Sequence, residues 1–173
     1  MTVSTMLSLL SQGFVTSLLI FALTLLFSMP LGLAVMFGRR SKVTPLRGFI
    51  KAYISIMRGT PLMLQLMVVF YGPKLLLGVT VPGNWRFTAV IVAFVINYAA
   101  YFAEIYRGGI ESIPRGQYEA AQVLGYTKAQ TFFKIILPRM VKRVIPAVTN
   151  EVITLVKDTS LASVIGTVEM FTR

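Results

Sequence analysis

The sequence has no cysteine, no histidine and few charged residues. The absence of cysteine excludes a disulfide or a thiolate metal site, and the absence of histidine removes the commonest general base and metal ligand. Charged residues make up 13% of the 173, about half the share of a typical soluble domain. Hydrophobic residues make up 55%. This composition predicts an all-α integral membrane protein without a metal site.

Acidic residues are especially scarce, with six Asp and Glu against 17 Lys and Arg and a net charge of +11. A nucleic-acid-binding protein would concentrate its basic residues on a soluble face. Here the basic residues flank apolar segments, a pattern that retains loops on the cytoplasmic side of a membrane. We therefore expect the lipid bilayer, and no nucleic acid, as a partner.

Apolar segments at 14–37 and 87–103 are the clearer candidate transmembrane helices. The first has no charge and exceeds the roughly 20 residues that cross a hydrocarbon core. A weaker candidate at 144–156 contains Glu151. The chain is predicted to hold these spans in one domain, residues 1–173, because it shows no repeat and no flexible linker.

The second of the four predicted spans allows two interpretations. It either covers 59–73, extending to about Gly78 if Lys74 reaches the interface, or starts near Phe49 with a kink at Pro61. The basic loop before it and a second basic region after 103 fall on the same side. The positive-inside rule makes that side cytoplasmic, with the N-terminus outside. The turn at 81–85 is then external, with Trp85 at the interface.

A polar, basic segment at about 107–138 contains a spaced motif: Glu119, Ala120 and Ala121, then Gly125, then Ile135, Leu137 and Pro138. This spacing resembles the EAA loop of ABC-importer permease subunits. A Glu-Ala-Ala triplet alone is common in helices, so the resemblance depends on the full spacing. The plain alternative is an amphipathic connector that only caps the helix bundle.

Other parts of the chain resemble the permeases that import polar amino acids. The matching stretches are Arg58-Gly59-Thr60-Pro61-Leu62 with Gln65, Asn97 to Tyr101, Ala103 to Ile105, Arg107 to Ile110 and Lys157 to Leu161. The resemblance implies a type I ABC-importer permease fold. Members usually have five core helices, of which four are expected here, so the chain is expected to be a truncated form that lacks the last helix.

The residues of the EAA-type loop suit a contact that couples this chain to a partner subunit. Glu119 offers a carboxylate to a basic partner, and Ala120 and Ala121 are small enough to enter a groove. Gly125 can adopt the positive φ of a tight turn, and Pro138 is tolerated in the first turn of the next helix. The resemblance implies that this loop docks on the ATPase subunit.

Polar residues within the spans are the candidate substrate contacts. Asn97, Tyr101 and Glu104 share one helical face, and Glu151, Thr154 and Asp158 share another. Intramembrane polar groups usually face a cavity or a partner. We predict substrate contacts from Asn97, Glu151, Gln65 and Tyr101, and a gate or interface role for Lys157 and Asp158. A structural ion pair for Glu151 and helix–helix hydrogen bonds for Asn97 and Gln65 are the alternatives.

The predicted function is that of the membrane subunit of an ATP-driven importer of polar amino acids in a prokaryotic inner membrane, with Glu151 favouring cationic ones. The chain has no G-x-x-x-x-G-K-[ST] phosphate loop. We therefore expect that the chain is not an enzyme and binds no cofactor. A partner ATPase is expected to hold ATP and Mg²⁺. A second permease subunit and an external solute-binding protein are the other implied partners. The alternatives are an ion channel or passive pore, and a membrane scaffold.

Overall fold

The computed structural model describes residues 3–78, 80, 82 and 84–165, which form helices and no strand. The first helix, α1, covers Val3–Arg39 and so extends the predicted span at both ends. Residues at every fourth position of α1, Ile20, Thr24, Ser28 and Met36, are buried. Leu18, Leu26 and Phe27 on its other faces are exposed, as expected for a surface that contacts lipid.

The second predicted span is a broken helix. α2 covers Thr44–Gly59 and α3 covers Leu62–Leu77, and their axes differ by 111°. Pro61 lacks the N–H of a continuing helix, and the preceding Thr60 is extended, as residues before proline prefer. α3 lies within the first interpretation, the span from Gly59 to about Gly78. The second interpretation is also met in part, because a helix precedes the break at Pro61, although it begins at Thr44 rather than near Phe49.

The central helix, α4, covers Trp85–Glu111 and packs against α1, α2, α3 and α7. It continues eight residues beyond the predicted end at 103, to Glu111. Trp85 donates its indole N–H to the carbonyl of Phe70 at 3.0 Å, which joins the first residue of α4 to the middle of α3. Val79, Val81 and Gly83 of the predicted external turn lie outside the described residues.

The EAA-type segment begins after α4, later than the predicted 107. α5 covers Arg115–Val123, and α6 covers Lys128–Gln130 and runs through a π-helical turn, Thr131–Ile136, into α7, Leu137–Asp158. Pro138 stands in the first turn of α7, as predicted. The wider π-helical turn leads the chain without a break into α7.

A 3₁₀ segment, Thr159–Ile165, follows α7. Among the described residues, α1 and α4 are long and apolar enough to span a membrane, and the bent pair α2–α3 adds a third span if counted as one. α7 does not meet that criterion, so the fourth span stays a prediction. Residues 166–173 lie outside the described part of the chain.

Candidate functional site

The break between α2 and α3 opens one side of a polar cavity of about 230 Å³ in the middle of the bundle. Its walls come from the break, from α4 and from α7: Thr60, Pro61, Leu62, Asn97, Tyr98, Tyr101, Glu151, Thr154 and Asp158. The structure thus brings together three of the four predicted substrate contacts. The two polar faces predicted on separate helices meet in this cavity.

Gln65 and Asn97 are joined to each other beside the cavity. The Asn97 amide donates to Gln65 Oε1 at 2.9 Å and to the Met57 carbonyl at 3.2 Å. The Gln65 amide donates in turn to Met57 O at 2.9 Å and to Thr60 O and Oγ1 at 3.1 and 2.8 Å. These bonds satisfy carbonyls that the helix break leaves free. Both side chains therefore hold the break in place, and their contact with substrate stays a prediction.

The two carboxylates of α7 in the cavity differ in their partners. Asp158 accepts a hydrogen bond from the Tyr98 hydroxyl at 2.7 Å. Glu151 is half-buried, and no basic group of the described residues lies within ion-pair distance of it. Lys157, near the end of α7, is exposed and does not line the cavity. Glu151 therefore presents a carboxylate free of intrachain ion pairing in the described part of the chain.

Glu104 does not belong to this cavity, although its spacing from Tyr101 suggested so. It forms ion pairs with Arg39 and, at 2.7 Å, with Arg107, and it lies 3.9 Å from Arg58. Its side chain is only 13% exposed. Glu104 lies about one helical turn beyond Tyr101, as the spacing predicts. It pairs with the basic residues at the ends of α1 and α2, however, and so serves as their counter-ion within the chain.

Sequence reasoning missed this ion network because Arg39 and Glu104 are 65 residues apart. One signal was available. Six basic residues without an acidic one occur between positions 39 and 58, namely Arg39, Arg40, Lys42, Arg47, Lys51 and Arg58. An acidic residue at the same end of a neighbouring span was the natural partner for them.

The EAA-type segment forms the predicted tight turn. Gly125 has φ +74°, its N–H bonds to the Gln122 carbonyl at 3.0 Å, and the Tyr126 N–H bonds to the Ala121 carbonyl at 3.0 Å. This pair of bonds is a Schellman C-cap, in which glycine takes the left-handed position. Gly125 therefore ends α5 and redirects the chain into α6.

The two alanines of the motif face different ways. Ala121 is fully buried inside the chain, whereas Ala120 and Glu119 are exposed. The expectation that both alanines enter a partner's groove is therefore wrong for Ala121, because it packs within this chain.

Exposed apolar side chains surround this turn and were not predicted. Val123 and Leu124 are 87% and 72% exposed, and Phe133 is 65% exposed. Beside them lies a cavity of about 650 Å³ lined by Tyr118, Gln122, Tyr126, Thr127, Lys128, Thr131 and Phe132. Contiguous exposed apolar groups of this kind mark interaction surfaces. The sequence signal for this exposed surface was the apolar pair Val123 and Leu124, which directly precedes the glycine of the motif.

The sequence of this bundle matches one protein family. The family model of the inner membrane component of binding-protein-dependent transport systems covers residues 28–173. The chain belongs to this family. It is therefore a permease subunit in the inner membrane, and ATP hydrolysis in this family resides in a partner subunit.

Relatives of this permease are transport subunits for amino acids. The L-cystine transport system permease protein TcyB of Bacillus subtilis is 41% identical over 165 residues, covering 95% of this chain and 68% of that protein. The arginine transport system permease protein ArtQ of the same organism is 36% identical over 162 residues, covering 94% of this chain and 73% of that protein.

A solved amino acid ABC transporter, crystallised with histidines, shares the fold of the permease. Its chain superposes with a TM-score of 0.87 at 34% sequence identity, covering 100% of this chain and 81% of that one. The predicted type I ABC-importer permease fold is therefore confirmed.

Proposed function

We propose that this permease, together with a second permease subunit, forms the translocation pathway of an ATP-driven importer of polar amino acids. The observation that carries the proposal is the cavity at the α2–α3 break, with Asn97 and Tyr101 on one side and Glu151 and Asp158 on the other. Intramembrane carboxylates are costly unless they face a partner or a water-filled path. The amino acid relatives support the same substrate class.

The charge of the cavity favours substrates with a positive group. Glu151 and Asp158 line it, and no Lys or Arg of the described residues does. A carboxylate without an ion pair in a low-dielectric site attracts an ammonium or guanidinium group strongly. We therefore infer that Glu151 receives the α-amino group or the cationic side chain of the substrate. Lys157, exposed at the end of α7, remains a candidate for the interface or gate.

We infer that α5 and the Gly125 turn dock on a separate ATPase subunit, which binds ATP and Mg²⁺. The exposed Glu119 and Ala120, with Val123 and Leu124 beside them, offer one carboxylate and an apolar surface to that subunit. Nucleotide-driven motion of the docked helix would then change the access of the cavity. A solute-binding protein delivers substrate from the outer side. A passive pore, the alternative, needs no such docking surface.

The test is substrate-stimulated ATP hydrolysis and uptake by the assembled complex in lipid vesicles. Free arginine, lysine and histidine are compared with neutral and acidic amino acids, using the wild type and Glu151→Gln. We expect stimulation by cationic substrates that is lost in this variant. Glu111→Gln, which removes a carboxylate at the cytoplasmic end of α4, is the control and should retain it.

Three outcomes separate the alternatives. Stimulation that persists in Glu151→Gln assigns this carboxylate a structural role. Absence of stimulation by any amino acid in an assembled complex contradicts the amino acid importer. Uptake that proceeds without ATP identifies a passive pore.

A further inference from the structure

Helix α2 has three distinct long faces. Its buried face, Ile50 and Ile54, packs against the rest of the bundle. One side of that face, the basic flank, carries Arg47, Lys51 and Arg58. The opposite side, the apolar flank, carries Leu46, Phe49 and Ile56, which are 43%, 74% and 57% exposed. Helices with opposed apolar and basic sides of this kind lie in the membrane interface.

The position of α2 in the bundle suits that interface. Because α2 and α3 differ by 111°, α2 cannot continue alongside α4 as α3 does. Instead, the Tyr53 hydroxyl donates to the Ile96 carbonyl at 2.5 Å, and the Arg58 guanidinium lies 5.4 Å from the centre of the Tyr101 ring. The helix thus contacts α4 from Ile96, near its middle, to Tyr101 in the half predicted to be cytoplasmic. Arg58 of its basic flank lies 3.9 Å from Glu104, nearer the Glu111 end of α4, and the apolar flank lies on the opposite side of α2.

A cavity of about 510 Å³ opens on the basic flank between the end of α1, α2 and α4. Arg39, Lys51 and Arg58 line this basic cavity, and Glu104 is the one acidic residue among the described residues that line it. The Glu104 carboxylate is already shared between Arg39 and Arg107, and it lies 3.9 Å from Arg58. Three cations against one occupied carboxylate leave the basic cavity with an excess of positive charge.

We propose that the basic cavity binds the phosphate group of an anionic phospholipid from the cytoplasmic leaflet. A cytoplasmic basic pocket between transmembrane elements is suited to such headgroups. The apolar flank favours a lipid over a soluble phosphate, because the exposed Phe49 and Ile56 would bury their surface against the acyl chains of a bound lipid. The bound lipid stabilises α2 and, through it, the Thr60–Pro61 break that lines the candidate site.

The proposal does not depend on which substrate is carried, so it is tested on the full chain without a transport assay. Native mass spectrometry of the purified chain measures retention of phosphatidylglycerol against phosphatidylcholine with the same acyl chains. Removing the two exposed charges, Lys51→Gln with Arg58→Gln, should lower that preference by roughly 5- to 25-fold, since each basic residue near an anionic surface contributes about fivefold.

The control variant, Lys74→Gln with Arg86→Gln, removes the same charge at the opposite end of the bundle and should keep the preference. The charge-preserving variant Lys51→Arg should keep it as well. Equal retention of the two lipids by the wild type overturns the proposal. An undiminished preference in the Lys51→Gln, Arg58→Gln variant does so too, as does displacement of phosphatidylglycerol by excess inorganic phosphate.

A second measurement leaves every charge in place. The chain lacks cysteine, so Ser55→Cys places a single thiol on the lining of the basic cavity. Phosphatidylglycerol vesicles should slow its reaction with a charged maleimide, whereas phosphatidylcholine vesicles should not. Equal rates contradict the proposal, and efficient disulfide cross-linking between two chains would show that a second copy covers this surface instead.

Discussion

The Tyr98 hydroxyl donates a hydrogen bond to Asp158 Oδ2 at 2.7 Å, joining the middle of α4 to the last residue of α7. Tyr98 is only 2% exposed, so this bond lies inside the bundle. It fixes one carboxylate of the cavity and leaves Glu151, about two turns earlier on α7, as the carboxylate without an intrachain ion pair in the described part of the chain. Asp158 is therefore held by Tyr98, whereas the Glu151 carboxylate is available to a ligand.

Tyr98→Phe removes the hydroxyl and leaves the half-buried Asp158 carboxylate without its donor. We expect a loss of about 1.5–3 kcal/mol of stability, the range for hydrogen bonds to charged groups. The measurement is the thermal unfolding midpoint of the purified chain in detergent. Tyr71→Phe, which removes a hydroxyl from an exposed ring on α3, is the control and should not change it. Equal stability of the two variants would mean that the bond contributes nothing.

Glu104→Gln tests the ion network at the predicted cytoplasmic ends of α1 and α4. The change leaves the partly buried Arg39 and Arg107 without their shared carboxylate. We expect a loss of about 2–3 kcal/mol, somewhat below the roughly 3–5 kcal/mol of a fully buried pair. Glu111→Gln breaks a pair whose carboxylate is 57% exposed and should cost about 0–1 kcal/mol. Chemical denaturation of both variants measures the difference, and a Glu104 variant as stable as the Glu111 variant contradicts it.

Local patterns predicted the parts of this structure that depend on short-range geometry. The i, i+4 and i, i+7 spacings placed Tyr101 beside Asn97 and Asp158 beside Glu151, and both pairs line one cavity. The glycine of the motif has the predicted positive φ. Such features follow from backbone geometry within a few residues, which the sequence determines directly.

Features that depend on packing between distant segments were not predictable in the same way. A proline indicates a helix break, but the 111° angle at Pro61 depends on how α3 packs on α4 and on the Asn97–Gln65 bonds. The motif also gave no indication of which alanine faces inward. That depends on the rotation of α5 on the bundle, which a nine-residue helix does not encode by itself.

Gly125→Ala tests the turn that presents the proposed docking surface. Alanine at φ +74° costs about 1–2 kcal/mol, because its Cβ crowds the following carbonyl in the left-handed region. We expect weaker co-purification with the ATPase subunit and an unchanged lipid preference. Gly116→Ala, in the first turn of α5 with open space around it, is the control and should bind normally. Normal binding by Gly125→Ala would mean that the turn geometry does not govern docking.

Gly32→Ala tests the close approach of α1 to α4. A Cβ at Gly32 would lie 2.8 Å from the Cβ of Phe102 and 3.1 Å from the Ala99 carbonyl oxygen, both of them parts of α4 that cannot rotate away. The two helices would have to separate, and overpacking of this kind costs about 1–3 kcal/mol. Gly48→Ala, in α2 with nothing within 4 Å, should instead gain about 0.5–1 kcal/mol from the better helix propensity of alanine. Opposite shifts of the thermal midpoint are therefore expected for the same chemical change, and a shift of the same sign in both variants would contradict the tight α1–α4 contact.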